Sequence, residues 1–197
     1  MSDPITTTLN AVRNGRLDLP CETGWLTLLR HLGKTRADDE PLPVSVVLDS
    51  NGLDDALWVL DTLSEHRILQ LWGCDCAERA LPVFERKRPG DDRPCRVIET
   101  VRRFACGWAT YVELNAARAA EAAWAAWDAV AVWTRRNAWD AARDAARAAA
   151  RAAGDAWDDE REWQVERLRW YLEGEPAAAT LARRAAIFAP RSRRRKQ

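Results

Sequence analysis

"AAWAAWDAVAVWTRRNAWDAARDAARAAARAAGDAW", residues 122–157, is built from alanine, arginine and aspartate with five tryptophans set into it. From Tyr111 to Asp159 nearly every residue favours helix. One unbroken helix of that length would run about 70 Å, against a radius of gyration of about 16 Å for a compact chain of this size. The spacing therefore predicts two helices packed back to back rather than one rod. The break falls in "WTRRNAWD" (133–140), where Asn137 can cap a new helix with Asp140 three residues on.

Within the second half, positions 138, 142, 145, 146, 149 and 153 make one alanine stripe. Asp140, Arg143, Asp144, Arg147, Arg151 and Asp155 line the opposite face as a ladder of mixed sign, with opposite charges three apart at 140/143 and 144/147 and four apart at 151/155. An alanine face buries little area, at about 25 cal/mol per Å2, but it lets a neighbouring backbone come close. Tryptophans supply the missing hydrophobic area where helices diverge, and Trp124, Trp127 and Trp139 sit on or beside the stripe. Trp133 lies nearly opposite Trp124. Trp163 and Trp170 share a face opposite Val165, Leu168 and Leu172. That last pair is either sandwiched between layers or displayed as binding anchors, a role in which tryptophan is enriched.

Working outward, "ETGWLTLLRHLG" (22–33) reads as a short helix stopped by Gly33, and 34–44 as a charged, proline-bearing loop. The valines of "VSVVLDSNG" (44–52) read as a brief extended lead-in to a turn. Asn51 then caps a helix with Leu53, Ala56, Leu57 and Leu60 on one face. Ser64 is expected to cap the next helix, running to about Lys87 with Leu69, Trp72, Cys76, Ala80 and Val83 on one side. Pro82 inside it costs about 3 kcal/mol and predicts a kink near Glu78. Asp92 and Pro94 open a helix that turns Val97, Ile98, Val101 and Phe104 inward and stops at Gly107. Thr110 to Glu113 forms a capping box. A last helix is expected from Asp158 to Leu172, ending at Gly174 and Pro176. The fold class is all-α: a helical bundle with a long alanine- and tryptophan-rich hairpin and little or no strand.

Formal net charge is zero but unevenly spread. Residues 181–197 hold seven basic side chains and no acidic one, so the preceding chain carries 23 basic against 30 acidic residues, a balance of −7. Residues 1–180 read as one all-α domain and 181–197 as a basic, disordered tail. Hydrophobic content of 47% with 30% charged residues excludes wholesale disorder. No apolar run reaches the roughly 20 residues of a membrane helix, and "MSDPITTTLN" lacks a signal core. Five cysteines without regular spacing suggest no disulfide framework. A cytoplasmic protein is expected.

Chemistry-bearing constellations are scarce. Cys74 and Cys76 make "CDC", but residues two apart on a helix point about 200° from each other and cannot grip one ion. "DSNGLDD" (49–55) has its glycine three positions after Asp49, where a calcium loop needs five. His31 and His66 stand near no partner motif, and no phosphate loop, nucleophile elbow or zinc-protease motif occurs. Asp75 and Arg79, four apart, are expected to pair with each other. No enzymatic activity, metal or cofactor is expected.

"LDSNGLDDALWVL" (48–60), then "LWGCDCAERALPVFERKRPGDDRPCRVIETVRRFACGWAT" (71–110) and the alanine-tryptophan helix resemble a family of bacterial immunity-protein-like domains associated with polymorphic toxin systems, also found in phage genomes. The resemblance spans about Val44 to Asp159, and its specific parts are "SNGLDDALW", "DCAE" and "DDRP" leading to an "IE" helix. It implies an all-α protein that neutralises a cognate toxin by stoichiometric association, without catalysis; an acidic body would steer it toward a basic, nuclease-like toxin. Asp49, Asp54, Asp55 and Asp75 are the candidate partner contacts, being acidic and within those motifs; capping and local pairing is the competing explanation. Trp163 and Trp170 join them as candidate anchors. Two other readings stay open. One is a phage or mobile-element protein that blocks a host defence component. The other is a nucleic-acid-associated helical protein using Arg191, Arg193, Arg194, Arg195 and Lys196 of the tail. Exposed tryptophans and alanine faces would also serve self-association into a homo-oligomer.

Overall fold

A computed structural model of the chain describes residues 4–14, 20–122 and 138–173. Trp124, Trp127, Trp133, the break expected at Asn137, the side chain of Trp139 and the basic tail lie outside the described residues. The architecture is almost entirely helical. A two-residue strand β1 (Thr6–Thr7) pairs antiparallel with β2 (Leu42–Pro43), Thr6 opposite Pro43. The helices are α1 (Leu9–Asn14), α2 (Glu22–His31), α3 (Val44–Asn51), α4 (Leu53–Thr62), α5 (His66–Lys87), α6 (Arg93–Ala105), α7 (Tyr111–Ala122), α8 (Ala138–Ala153) and α9 (Trp157–Leu172), with a single 3-10 turn at Gly154–Ala156 between the last two.

The axis is α5. Helices α4, α6, α8 and α9 all pack on it, and every residue from Ile68 to Cys76 is buried. A helix buried all round sits at the centre of its protein. The expected one-sided face of Leu69, Trp72 and Cys76 is there, but Gln70, Gly73 and Asp75 are enclosed as well, while Ala80 and Val83 are only half-buried. The helix runs through Pro82 to Lys87. On α6, Val97, Ile98 and Val101 are buried as expected, and Phe104 packs on the margin of the core.

The alanine stripe is buried. Ala142, Ala145, Ala146 and Ala149 are all at most 2% exposed, joined by Ala141 and Ala150, and among the described elements α8 packs most extensively on α5. Alanine permits that approach because nothing beyond Cβ stands between the two backbones. Replacing Ala145 by leucine is expected to destabilise the fold by about 1–3 kcal/mol through overpacking, read as a lower urea midpoint at unchanged slope.

Three local expectations are corrected. The valines at 44, 46 and 47 are helical in α3, and the extended residues are Leu42 and Pro43 before them. Burial of Val44 and Val47 in the core outweighs the small intrinsic penalty for a β-branched residue in a helix. Asn51 ends α3 instead of capping α4: its amide donates to Gly24 O at 2.7 Å and to Asp55 Oδ2 at 2.8 Å. That stitch brings α2 so close that a Cβ on Gly24 would sit 2.6 Å from Asp55 Oδ2. Ser64, at φ 60°, belongs to the turn after α4, and α5 starts beyond Glu65. The capping box forms as expected: the Thr110 N–H donates to Glu113 Oε2 at 2.7 Å and the Glu113 N–H to Thr110 Oγ1 at 3.2 Å.

Both ends of the described chain are tied together. The Ile5 N–H donates to Leu172 O at 3.0 Å, and the Val44 N–H to Ile5 O at 2.9 Å. The β1 segment therefore bridges the end of α9 to the start of α3.

Candidate partner-binding surface

Asp75 on α5 is buried, and it gathers three helices. Its Oδ1 accepts from Arg102 Nη2 of α6 at 2.6 Å, and its Oδ2 from Arg167 Nε at 2.7 Å and Tyr171 OH at 2.9 Å, both on α9. Arg102 also clamps Glu78 through both terminal nitrogens. The expected pairing of Asp75 with Arg79 is overturned, since Arg79 Nε donates to the buried Glu160 of α9. One turn of helix separates the two residues, but each finds a fixed partner on another element, which holds it better than a mobile neighbour on the same surface.

Glu160 leads into a second polar seam. Gln164, 0% exposed, donates to Glu160 Oε1 at 3.1 Å and to the Ala146 carbonyl of α8 at 2.9 Å. Its own carbonyl accepts from Trp72 Nε1 at 3.0 Å. Buried charge and amide groups are tolerated only when matched in this way. Sequence reasoning passed over Gln164, Glu160, Arg102 and Arg167. The available signal was spacing: Glu160, Gln164, Leu168 and Leu172 stand four apart, and all four are buried.

The tryptophan pair is half-buried on α9. The Arg79 guanidinium lies 4.1 Å from the Trp163 ring centre and that of Arg167 4.3 Å from Trp170, which also meets Tyr171 edge-on at 4.9 Å. Each ring is covered by the arginine that anchors α9 to α5, so arginine stacking binds them into the scaffold.

The remaining acidic candidates lie at the surface. Asp49, 46% exposed at its side chain, accepts from Arg169 Nη2 at 2.6 Å. Asp55 holds the Asn51 amide. Asp54 is exposed in the first turn of α4. Asp54 and Asp55 line a cleft of about 260 Å3 together with apolar side chains that include Val12, Trp25, Leu28 and Trp58. Apolar side chains beside two carboxylates fit a long side chain with an aliphatic stem and a cationic head.

The two cysteines of the "CDC" motif are both buried. Burial pushes the Cys74 and Cys76 thiols well above their ordinary range, so neither supplies a thiolate near neutral pH, and Cys74 Sγ sits 3.6 Å from the Ile98 carbonyl it donates to. Among the described residues no group of three or more histidine, cysteine, aspartate or glutamate side chains is placed to hold a metal ion, and no helix is long and apolar enough to cross a membrane.

Fold and site together define an all-α protein whose central helix is fastened by matched buried charges and whose recesses open on its surface. The chain belongs to the Imm-5 like putative immunity protein family, whose model matches residues 60–170. No curated protein and no solved structure matches it. The matched span begins and ends later than the expected 44–159. It takes in Asp75, Arg102, Glu160, Gln164 and Arg167, and it leaves "SNGLDDALW" with Asp49, Asp54 and Asp55 in front. Membership implies a protein partner.

Proposed function

We propose that the protein is a cytoplasmic immunity protein that neutralises a cognate bacterial toxin by stoichiometric association, without catalysis of its own. The observation that carries this reading is the family match over residues 60–170. Two further features support it. The acidic balance of the chain before residue 181 favours approach to a basic toxin. The cleft walled by Asp54 and Asp55 suits a lysine or arginine side chain from such a partner. Asp54 and Asp55 are accordingly the proposed contacts. Asp49, tied to Arg169, sits on α3 ahead of them.

The test is co-expression with the product of a neighbouring toxin gene. Cells are expected to grow when both are made, and the two chains to co-purify in fixed ratio. Charge reversal at Asp54 (D54K) is expected to weaken the complex about tenfold or more. Continued killing by every neighbouring toxin in the presence of the intact protein would defeat the proposal.

A further inference from the structure

On the other side of Asp54 lies a second cleft of opposite character. It is about 260 Å3 in volume and runs between α4, α8 and α9. Four arginines line it, Arg143, Arg147 and Arg151 from α8 and Arg161 from α9, together with Trp157; Asp54 is the sole acidic side chain lining it among the described residues. The fold makes this arrangement from local rules. Arg143, Arg147 and Arg151 recur every four residues, so they form one row with about 6 Å between steps. Gly154, at φ 59°, lets the chain reverse after α8, and α9 returns with Trp157 and Arg161 four apart across the cleft. The floor beneath them is apolar and closed: Leu57 and Ala150 are 0% exposed and Ala146 2%.

Two of the four arginines in this cleft, Arg147 and Arg151, stand open to solvent. Arg143 Nη2 donates to Asp140 at 3.1 Å. Arg147 forms a long ion pair with Asp144 at 3.8 Å and keeps its side chain 48% exposed. Arg161 donates to the neutral amide oxygen of Gln164 at 3.0 Å. Arg151 is exposed, and Trp157 is 44% exposed, one of few large apolar side chains left open on the described surface. Arginine and tryptophan are the side chains most enriched where binding energy concentrates, and a guanidinium fork matches a carboxylate in two-point geometry.

From this geometry we infer that the cleft between α4, α8 and α9 binds an acidic segment of a protein partner, its carboxylates meeting Arg147, Arg151 and Arg161 while an apolar side chain packs on Trp157. The inference deepens the proposed function, because the family's protein partner is the natural source of that segment. A recess of this volume admits one or two side chains rather than a domain. The acidic balance of the chain before residue 181, with Asp140 and Asp144 flanking the arginine row, disfavours a long polyanion, whereas a short segment is spared most of that repulsion. Asp54 stands on the lip shared with the first cleft, so a partner engaging both presents a basic side chain beside an acidic stretch.

The test is selection of peptides from a random display library on the intact chain, followed by binding of the selected peptides, fluorescently labelled, to the R147E/R151E variant. Both positions are exposed, and a circular dichroism melt verifies folding; R151Q is the fallback should the double variant melt early. Selected peptides are expected to be rich in aspartate and glutamate with an aromatic or leucine residue. Their affinity is expected to fall about tenfold or more in the variant and to stay unchanged in R30E, a charge reversal on α2. Selection of neutral or basic peptides, or acidic ones whose affinity ignores the reversal, would overturn the inference. So would a single-stranded oligonucleotide that binds as tightly and is equally lost in R147E/R151E, which would assign the cleft to phosphates. Growth rescue separates the two proposals. A cognate toxin bound equally by R147E/R151E defeats the cleft and spares the immunity function; a wild-type chain that never rescues defeats the immunity function and leaves the peptide result standing.

Discussion

Replacing Asp75 by alanine is expected to destabilise the protein by about 3–5 kcal/mol, the usual cost of removing one partner from a buried ion pair. The carboxylate answers Arg102 and Arg167, whose side chains are 16% and 26% exposed, and the hydroxyl of Tyr171. With the carboxylate gone, two guanidiniums face each other across the junction of α5, α6 and α9. Asparagine at the same position keeps the shape and removes the charge, so D75N is expected to lose nearly as much. A ranking follows from exposure. Arg167→Ala is expected to cost less than Arg102→Ala, because Arg102 is the more deeply enclosed and also holds Glu78. Urea denaturation followed by circular dichroism measures all four variants. A loss under about 1 kcal/mol for D75A would mean that the arginines swing out to water, and the central role of Asp75 would then be refuted. Because α9 carries one wall of the basic cleft, D75A is also expected to weaken acidic-peptide binding without touching any cleft residue.

Trp72→Ala is expected to cost a similar amount, about 3–5 kcal/mol, for a different reason. The indole is fully enclosed on α5, and its Nε1–H donates to the Gln164 carbonyl at 3.0 Å. Alanine there leaves a cavity in a close-packed interior, which the surrounding helices close only in part. Trp72→Phe keeps most of the apolar area and removes the donor; it is expected to cost about 1–2 kcal/mol. Equal losses for the two variants would show that the hydrogen bond, not the filled volume, holds the site. Asp75 and Trp72 both fasten α5 to α9, so the double variant is expected to depart from additivity.

Much of this molecule is readable residue by residue. The Thr110–Glu113 box, the inward face of α6 and the alanine stripe of α8 follow from hydrogen-bond geometry and a 3.6-residue period, which act within a few residues of chain. The apolar face of α4 at Leu53, Ala56, Leu57 and Leu60 is legible for the same reason. The motifs around "DCAE" resemble those of immunity-protein-like domains. Other features depend on long-range partners. The valines of α3 have local preferences for extended chain and become helical because the core receives them. Asp75 and Arg79 look like a local pair, yet they reach helices whose closest residues lie far along the chain. The basic cleft is invisible in a linear reading, where its arginines merge into a ladder of mixed charges. Only the reversal at Gly154 sets Trp157 and Arg161 against that row.

The amino-acid sequence by itself determined an all-α chain, the positions of most helix starts and faces, and a likeness to immunity-protein-like domains. Tertiary structure alone decided which helix is central, which charges are buried, and that two recesses of opposite sign share Asp54. The division has a physical cause. Helix propensity, capping and periodicity are set by neighbours along the backbone, whereas burial and charge pairing are set by whatever the folded chain brings alongside.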